Sequence, residues 1–222
     1  MKGTRPLDNS EIRAIFDSFT GEFEKRDRGL FLLGVSVGGR ISEMLGLRVG
    51  DVWQNNAPVT DLLFHKSIVK GKEVSRTVPV NSDGRGAIVE LMDYHLERFG
   101  RVSAGRWLFP SRLSKGDKPL HRQSAHNALK RAFVAAGLNG KLATHSLRKS
   151  FAQRLYEATE DIYSVQEMLG HKNVMTTQRY IGVNYGKVRE AVESMVAIPG
   201  TERDIRCILS SSQTMDTEKI SV

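Results

Sequence analysis

Residues 60–80 constrain the fold most. TDLLFHKSIV and EVSRTVPV are rich in β-branched and aromatic side chains, and a short Lys-Gly-Lys turn separates them. That pattern predicts an antiparallel hairpin, and helical spacing dominates on both sides of it. The expected class is therefore mainly α with a small antiparallel β-sheet (α+β).

The first helix is read from PLDNSEIRAIFDSF. Asp8 is an N-cap with Glu11 three residues on, and Ile12, Ile15, Phe16 and Phe19 repeat at the helical period. A charged segment, GEFEKRDRG, leads into the apolar run LFLLGVSV, which Gly38-Gly39 interrupts before Arg40. ISEMLGLRV resumes helical spacing, AIVELMDYHLERF gives a further helix, and the chain is mostly helical from SAHNALKRAFVAAGL to about residue 198. Pro199-Gly200 is expected to end the last helix. The expected division is one body over residues 1–198 and a tail over 199–222. The tail is expected to be partly disordered or to dock its small apolar cluster (Ile205, Cys207, Ile208, Leu209) on a neighbouring protomer.

Charge narrows the partners. Lys and Arg total 33 against 25 acidic residues, a formal net charge of +8 over 222 residues. Such a balance favours polyanions, of which nucleic acid is the commonest. The single cysteine, Cys207, excludes an internal disulfide and a cysteine-based zinc site. No apolar run reaches about 18 residues, and the N-terminus lacks the apolar core of a signal peptide. A reducing, cytoplasmic setting is the expectation, with no membrane partner.

A few residues stand apart from this background. His145 and Arg148 are spaced to reach one ligand from adjoining faces of a helix whose stripe is Leu147, Phe151 and Leu155. Gly170 suits a helix C-terminus and leaves His171 on a tight turn. Tyr180 follows in a segment whose buried positions are expected to be Val174 and Ile181. Each feature alone is common in structural contexts.

Together the segments GGRISEMLGLRVGDV, HSLRKSFAQRL and LGHKNVMTTQRYIG resemble the motifs of the tyrosine recombinase (phage integrase) family, from about residue 7 to 195. That family carries an Arg in a G-x-R-x-x-E-x-x-x-L box, a Lys on a β-hairpin, H-x-x-R, a His or Trp after L-G, and a nucleophilic Tyr. The resemblance implies, in order, Arg40, Lys70, His145 with Arg148, His171 and Tyr180. Lys66 and Lys72 share the hairpin, but Lys70, directly before the turn glycine, fits the pattern best. Tyr180, not Tyr185, has the family's distance from His171. Glu43 fits the box as a structural partner. The family's helical DNA-clamping domain would precede this one, whereas the chain reaches catalytic-domain sequence at RPLDNSEIRAIF.

The implied chemistry needs these residue types. A phosphodiester under in-line attack gains negative charge on its non-bridging oxygens. The forks of Arg40 and Arg148 match those oxygens and stay charged at any working pH. His171 would add a hydrogen bond. A phenol ionises near ~10, so His145 is the general base, and Lys70 would protonate the leaving 5′-oxygen. The product is a 3′-phosphotyrosyl link that conserves the bond energy. No cofactor, nucleotide or metal is required, and the sequence has no phosphate-binding G-x-x-x-x-G-K-[ST] loop. The expected partners are double-stranded DNA, with Arg122, Lys130, Arg131, Lys149 and Arg154 as candidate phosphate contacts, and further copies in a homotetramer on two duplexes. A type IB-like topoisomerase and a non-enzymatic DNA-binding regulator are the competing functions.

Overall fold

The computed structural model describes residues 3–65, 75–113, 116–181 and 185–195. It is mainly helical with small antiparallel sheets. The chain divides into two units, residues 1–182 and 183–222. The site residues discussed below lie in the first.

Helix α1 (Asn9–Asp17) starts as the sequence requires. The Asp8 carboxylate accepts from the Glu11 N–H at 2.8 Å, and the Glu11 carboxylate accepts from the Asp8 N–H at 3.1 Å. Two otherwise orphaned donors are satisfied, and such a cap is worth about 1 kcal/mol.

Helix α2 (Glu24–Val37) runs through the middle of the unit. The charged EKRDRG stretch and the apolar run behind it form one helix, with the Arg26–Asp27 pair buried along with it. It packs against α5 (Ser82–Phe99) and α7 (Thr144–Thr159). Helix α5 starts earlier than its apolar periodicity predicts. The Asn81 side chain accepts from the Gly84 N–H at 2.9 Å, and this cap carries the polar SDGRG stretch into the helix.

Short helices α3 (Ile41–Leu45) and α4 (Val49–Val52) lead into β1 (Trp53–Gln54) and β2 (Ala57–Pro58). That hairpin is an addition to the expected one. Asn55 and Asn56 both take positive φ, 51° and 58°, as a tight two-residue turn requires. The predicted hairpin is present as β3 (Asp61–Phe64) paired antiparallel with β4 (Arg76–Pro79), Phe64 opposite Arg76. Leu62, Phe64, Arg76 and Val78 face inward. The two hairpins are separate two-stranded sheets.

The main core joins α2, α3, α5 and the β3–β4 hairpin around Leu33, Met44, Leu47, Phe64, Ile88 and Phe109. A second cluster packs α1 and α6 (Arg122–Ala135) on the other face of α2 through Ile15, Phe31, Leu129 and Phe133. A third joins α7 to α8 (Ile162–Leu169) and α9 (Val174–Ile181) through Ala152, Val165 and Leu169, with Tyr180 against them. On α9 the expected buried residues, Val174 and Ile181, are only half-buried, and Thr177 is the enclosed one. The second unit is represented by α10 (Tyr185–Ser194), whose Val188 and Val192 are exposed. The tail cluster 205–209 and the predicted stop at Pro199-Gly200 lie outside the described residues.

Candidate active site

Two helix ends converge on Arg148. Helix α2 ends at Gly38 and α8 at Gly170, both left-handed with φ of 61° and 62°, a conformation that favours glycine. Helix ends leave carbonyls without intrahelical partners. The Arg148 guanidinium donates to two of them, from Nη1 to the Gly38 carbonyl at 2.7 Å and from Nη2 to the Leu169 carbonyl at 2.5 Å. Both carbonyls stand at the negative ends of helix dipoles, which favours the cation. Among the described residues Arg148 is the largest fully buried side chain. Burial, then the neighbouring charges of Arg40 and Arg76, lower its pKa to about 10, which leaves it cationic at neutral pH.

Arg40 follows the Gly38-Gly39 break at the N-cap of α3. Its Nη1 donates to Glu43 Oε1 at 2.7 Å and its backbone N–H to Glu43 Oε2 at 2.8 Å. Glu43 is fully buried, whereas the Arg40 side chain keeps 27% of its surface exposed. From β4, Arg76 donates Nη2 to Glu43 Oε2 at 2.6 Å and Nη1 to Oε1 at 3.3 Å. Its Nε donates to the Met168 carbonyl at 3.0 Å, and its guanidinium lies 4.4 Å from the Phe64 ring centroid. Burial pushes the Glu43 carboxyl upward, but the hydrogen bonds from Arg76 and Arg40 outweigh it and hold the group below its usual range.

His171 sits just after Gly170, its backbone held both ways. Its N–H donates to the Gln166 carbonyl at 3.1 Å, and the Gln166 amide donates to the His171 carbonyl at 2.9 Å. The ring lies between Arg148 Nη2 at 3.1 Å from Nε2 and Thr177 Oγ1 at 3.0 Å from Nδ1. Burial, then Arg148, Arg40 and Arg76, lower its pKa to about 4, with Glu43 opposing.

The Tyr180 ring packs edge-on against His171, centroids 5.0 Å apart. Arg148 Cζ lies 6.0 Å from the Tyr180 ring centroid and Lys149 Nζ 5.7 Å. His145 projects to solvent from the first turn of α7. Partial desolvation lowers its pKa first, and the charges of Arg148, Arg122, Arg40 and Lys149 add to it.

Arg40, Arg148, His171 and Tyr180 are therefore gathered at one place, with His145 within electrostatic reach. Lys70 lies outside the described residues, as do Lys66 and Lys72. Sequence reasoning missed Arg76 and Thr177. The signal for Arg76 was its place on the inward-facing register of β4 with Val78, where a charge demands a buried partner. Thr177 carried no comparable signal. Among the described residues no group of three or more His, Cys, Asp or Glu could hold a metal ion, and no helix is long and apolar enough to cross a membrane.

Residues 5–187 match the model of the phage integrase family. The chain belongs to that family. Among phage integrase family relatives it is 38% identical over 167 residues to the tyrosine recombinase XerD of Corynebacterium glutamicum, covering 74% of this chain and 51% of that protein. It is 37% identical over 198 residues to XerD of Mycobacterium leprae, covering 84% and 59%. The chain thus spans between half and three-fifths of these curated relatives.

The fold agrees with solved family structures. The crystal structure of XerA recombinase superposes with a TM-score of 0.67 at 21% identity, covering 87% of this chain and 66% of that one. XerH site-specific recombinase, in a post-cleavage complex with its difH substrate, gives 0.66 at 24% identity, covering 85% and 52%.

Proposed function

We propose that this chain is the catalytic part of a site-specific DNA recombinase acting through a 3′-phosphotyrosyl intermediate on Tyr180. The observation that carries the reading is the convergence of Arg40, Arg148 and His171 beside the Tyr180 ring from four separate segments. Two guanidiniums, Arg40 and Arg76, contact one carboxylate, Glu43, and a third, Arg148, stands within electrostatic reach, so the site holds a surplus of positive charge. An entering phosphate relieves that repulsion.

In the proposed step the Tyr180 oxygen attacks the scissile phosphorus as His145, neutral at working pH, takes the phenolic proton. Arg40, the more exposed fork, and Arg148, behind it, bind the non-bridging oxygens. The phosphorus–5′-oxygen bond breaks, and Lys70 gives its proton to that oxygen. A 5′-hydroxyl from a second strand then attacks the phosphotyrosyl bond and releases the phenol. The substrate is double-stranded DNA, and the active assembly is a homotetramer on two duplexes. The body over residues 1–198 carries the chemistry. The relatives are named as recombinases, which favours strand exchange over a topoisomerase or a non-cleaving regulator.

A nicked suicide duplex tests this, because the short 5′ fragment diffuses away after cleavage and traps the adduct. Low salt strengthens the phosphate contacts on which DNA binding depends. A DNA-linked band on a denaturing gel is expected from the wild type and not from Tyr180→Phe. An adduct that persists in Tyr180→Phe would move the nucleophile elsewhere, and none with wild type would sink the enzyme reading.

A further inference from the structure

His171 is held between two groups of different hydrogen-bonding character. A guanidinium has donors only, so the Nε2 atom, 3.1 Å from Arg148 Nη2, is the accepting nitrogen. In a neutral ring the one proton then sits on Nδ1 and is donated to Thr177 Oγ1, 3.0 Å away. The cations of Arg148 on α7, Arg40 at α3 and Arg76 on β4 face this ring, against the single carboxylate of Glu43. They disfavour the doubly protonated form near neutral pH.

In that resting tautomer Nε2 has no proton to give to a phosphate. Donation from Nε2 requires the opposite tautomer, whose Nδ1 lone pair then faces Thr177 and needs a donor. A hydroxyl both accepts and donates, and it rotates between the two roles. Thr177 is fully buried, and its hydroxyl has no other hydrogen-bond partner among the described residues, so rotation there breaks no other described bond.

We propose that Thr177 is a positioning residue that sets the tautomer of His171, accepting from Nδ1 in the DNA-free protein and donating to Nδ1 once a phosphate draws Arg148 Nη2 away from Nε2. The change is balanced. The ring loses one proton to water from Nδ1, gains one from water at Nε2, and stays neutral throughout. Thr177 itself touches neither phosphate nor sugar. The role rests on the phosphate-binding function assigned to His171.

Nitrogen chemical shifts of ¹⁵N-labelled histidine read the tautomer directly. The free protein is expected to show His171 protonated on Nδ1, and the complex of Tyr180→Phe with uncleaved duplex to show it protonated on Nε2. Thr177→Ser should keep both states and cleave at nearly the wild-type rate. Thr177→Val, close in shape and checked for an unchanged melting temperature, should lose the DNA-induced change and cleave about 10–100-fold more slowly, the usual cost of removing the group that orients a catalytic imidazole. In a His171→Trp background, where the indole N–H donates without a partner behind it, Thr177→Val should add no further loss. Nε2 protonation in the free protein, an unchanged tautomer on DNA, or serine as impaired as valine would each overturn the proposal. A wild type that forms no adduct would instead remove the functional reading, while the free-protein spectrum still decides the tautomer.

Discussion

The guanidinium of Arg76 closes on the carboxylate of Glu43, 33 residues earlier in the chain, at 2.6 and 3.3 Å. Because Glu43 also accepts from Arg40, the hairpin strand β4 and the N-cap of α3 share one buried anion. Removing that anion leaves buried cations facing one another. Glu43→Gln is therefore expected to destabilise the fold by about 3–5 kcal/mol, read as a lowered urea midpoint with an unchanged slope. An unaltered midpoint would show that the pair contributes nothing.

Acid acts on the same residue. The folded pKa of Glu43 lies below its unfolded value, so its contribution is present above the ordinary carboxylate range and is lost as pH falls through the folded pKa. In Glu43→Gln the part of the acid-induced loss that falls below about pH 4.5 should shrink. Urea midpoints from pH 5 to 3 measure it.

Histidine titration occupies a higher window. Below about 6.5 the unfolded chain takes up a proton that folded His171 refuses until about 4, so stability falls as pH is lowered across that interval. His171→Gln should flatten the slope of urea midpoint against pH between 6.5 and about 4.5. For cleavage, the lowered pKa of His145 keeps the proposed base neutral to more acidic pH than an ordinary imidazole. Single-turnover rates should stay level near neutrality and fall only below about pH 6.5. An acid limb centred above 7 would contradict His145 as the base.

Gly38 combines a left-handed φ of 61° with the carbonyl that holds Arg148, and a Cβ there would lie 2.3 Å from Phe151 Cδ1. Gly38→Ala is expected to cost roughly 1–3 kcal/mol of stability. The larger effect should be on adduct formation, because the displaced carbonyl takes the Arg148 guanidinium with it. A variant that keeps full cleavage despite a lowered melting temperature would uncouple the two.

Tyr180→Phe removes one oxygen that has no hydrogen-bond partner among the described residues, and the ring contact with His171 remains available. Stability should change by no more than about 0.5 kcal/mol while adduct formation falls at least about 10³-fold. Thermal melts beside the gel assay separate loss of chemistry from loss of fold.

Much of this molecule was legible along the chain because its signals are local. The Asp8–Glu11 capping box and the Gly38 and Gly170 helix ends depend on neighbours within a few positions, and the β3–β4 strands pair across a single short connection. The hidden parts were those where a long-range contact overrides the local pattern. Apolar spacing pointed to Val174 and Ile181 on α9, yet the packing of α7 and α8 encloses Thr177. Polar residues masked the first turns of α5 until the Asn81 cap extended it.

By itself the sequence determined which residues carry charge, which can lose a proton and where α2 and α8 stop, since those properties reside in single side chains and their near neighbours. Only the tertiary structure decided that Arg76 would neutralise Glu43, that Arg148 would cap two helices at once, and that His171 would lie between Arg148 and Thr177. A hydrogen bond is lost over about one ångström. Such partnerships exist only after helices from distant parts of the chain have packed into place.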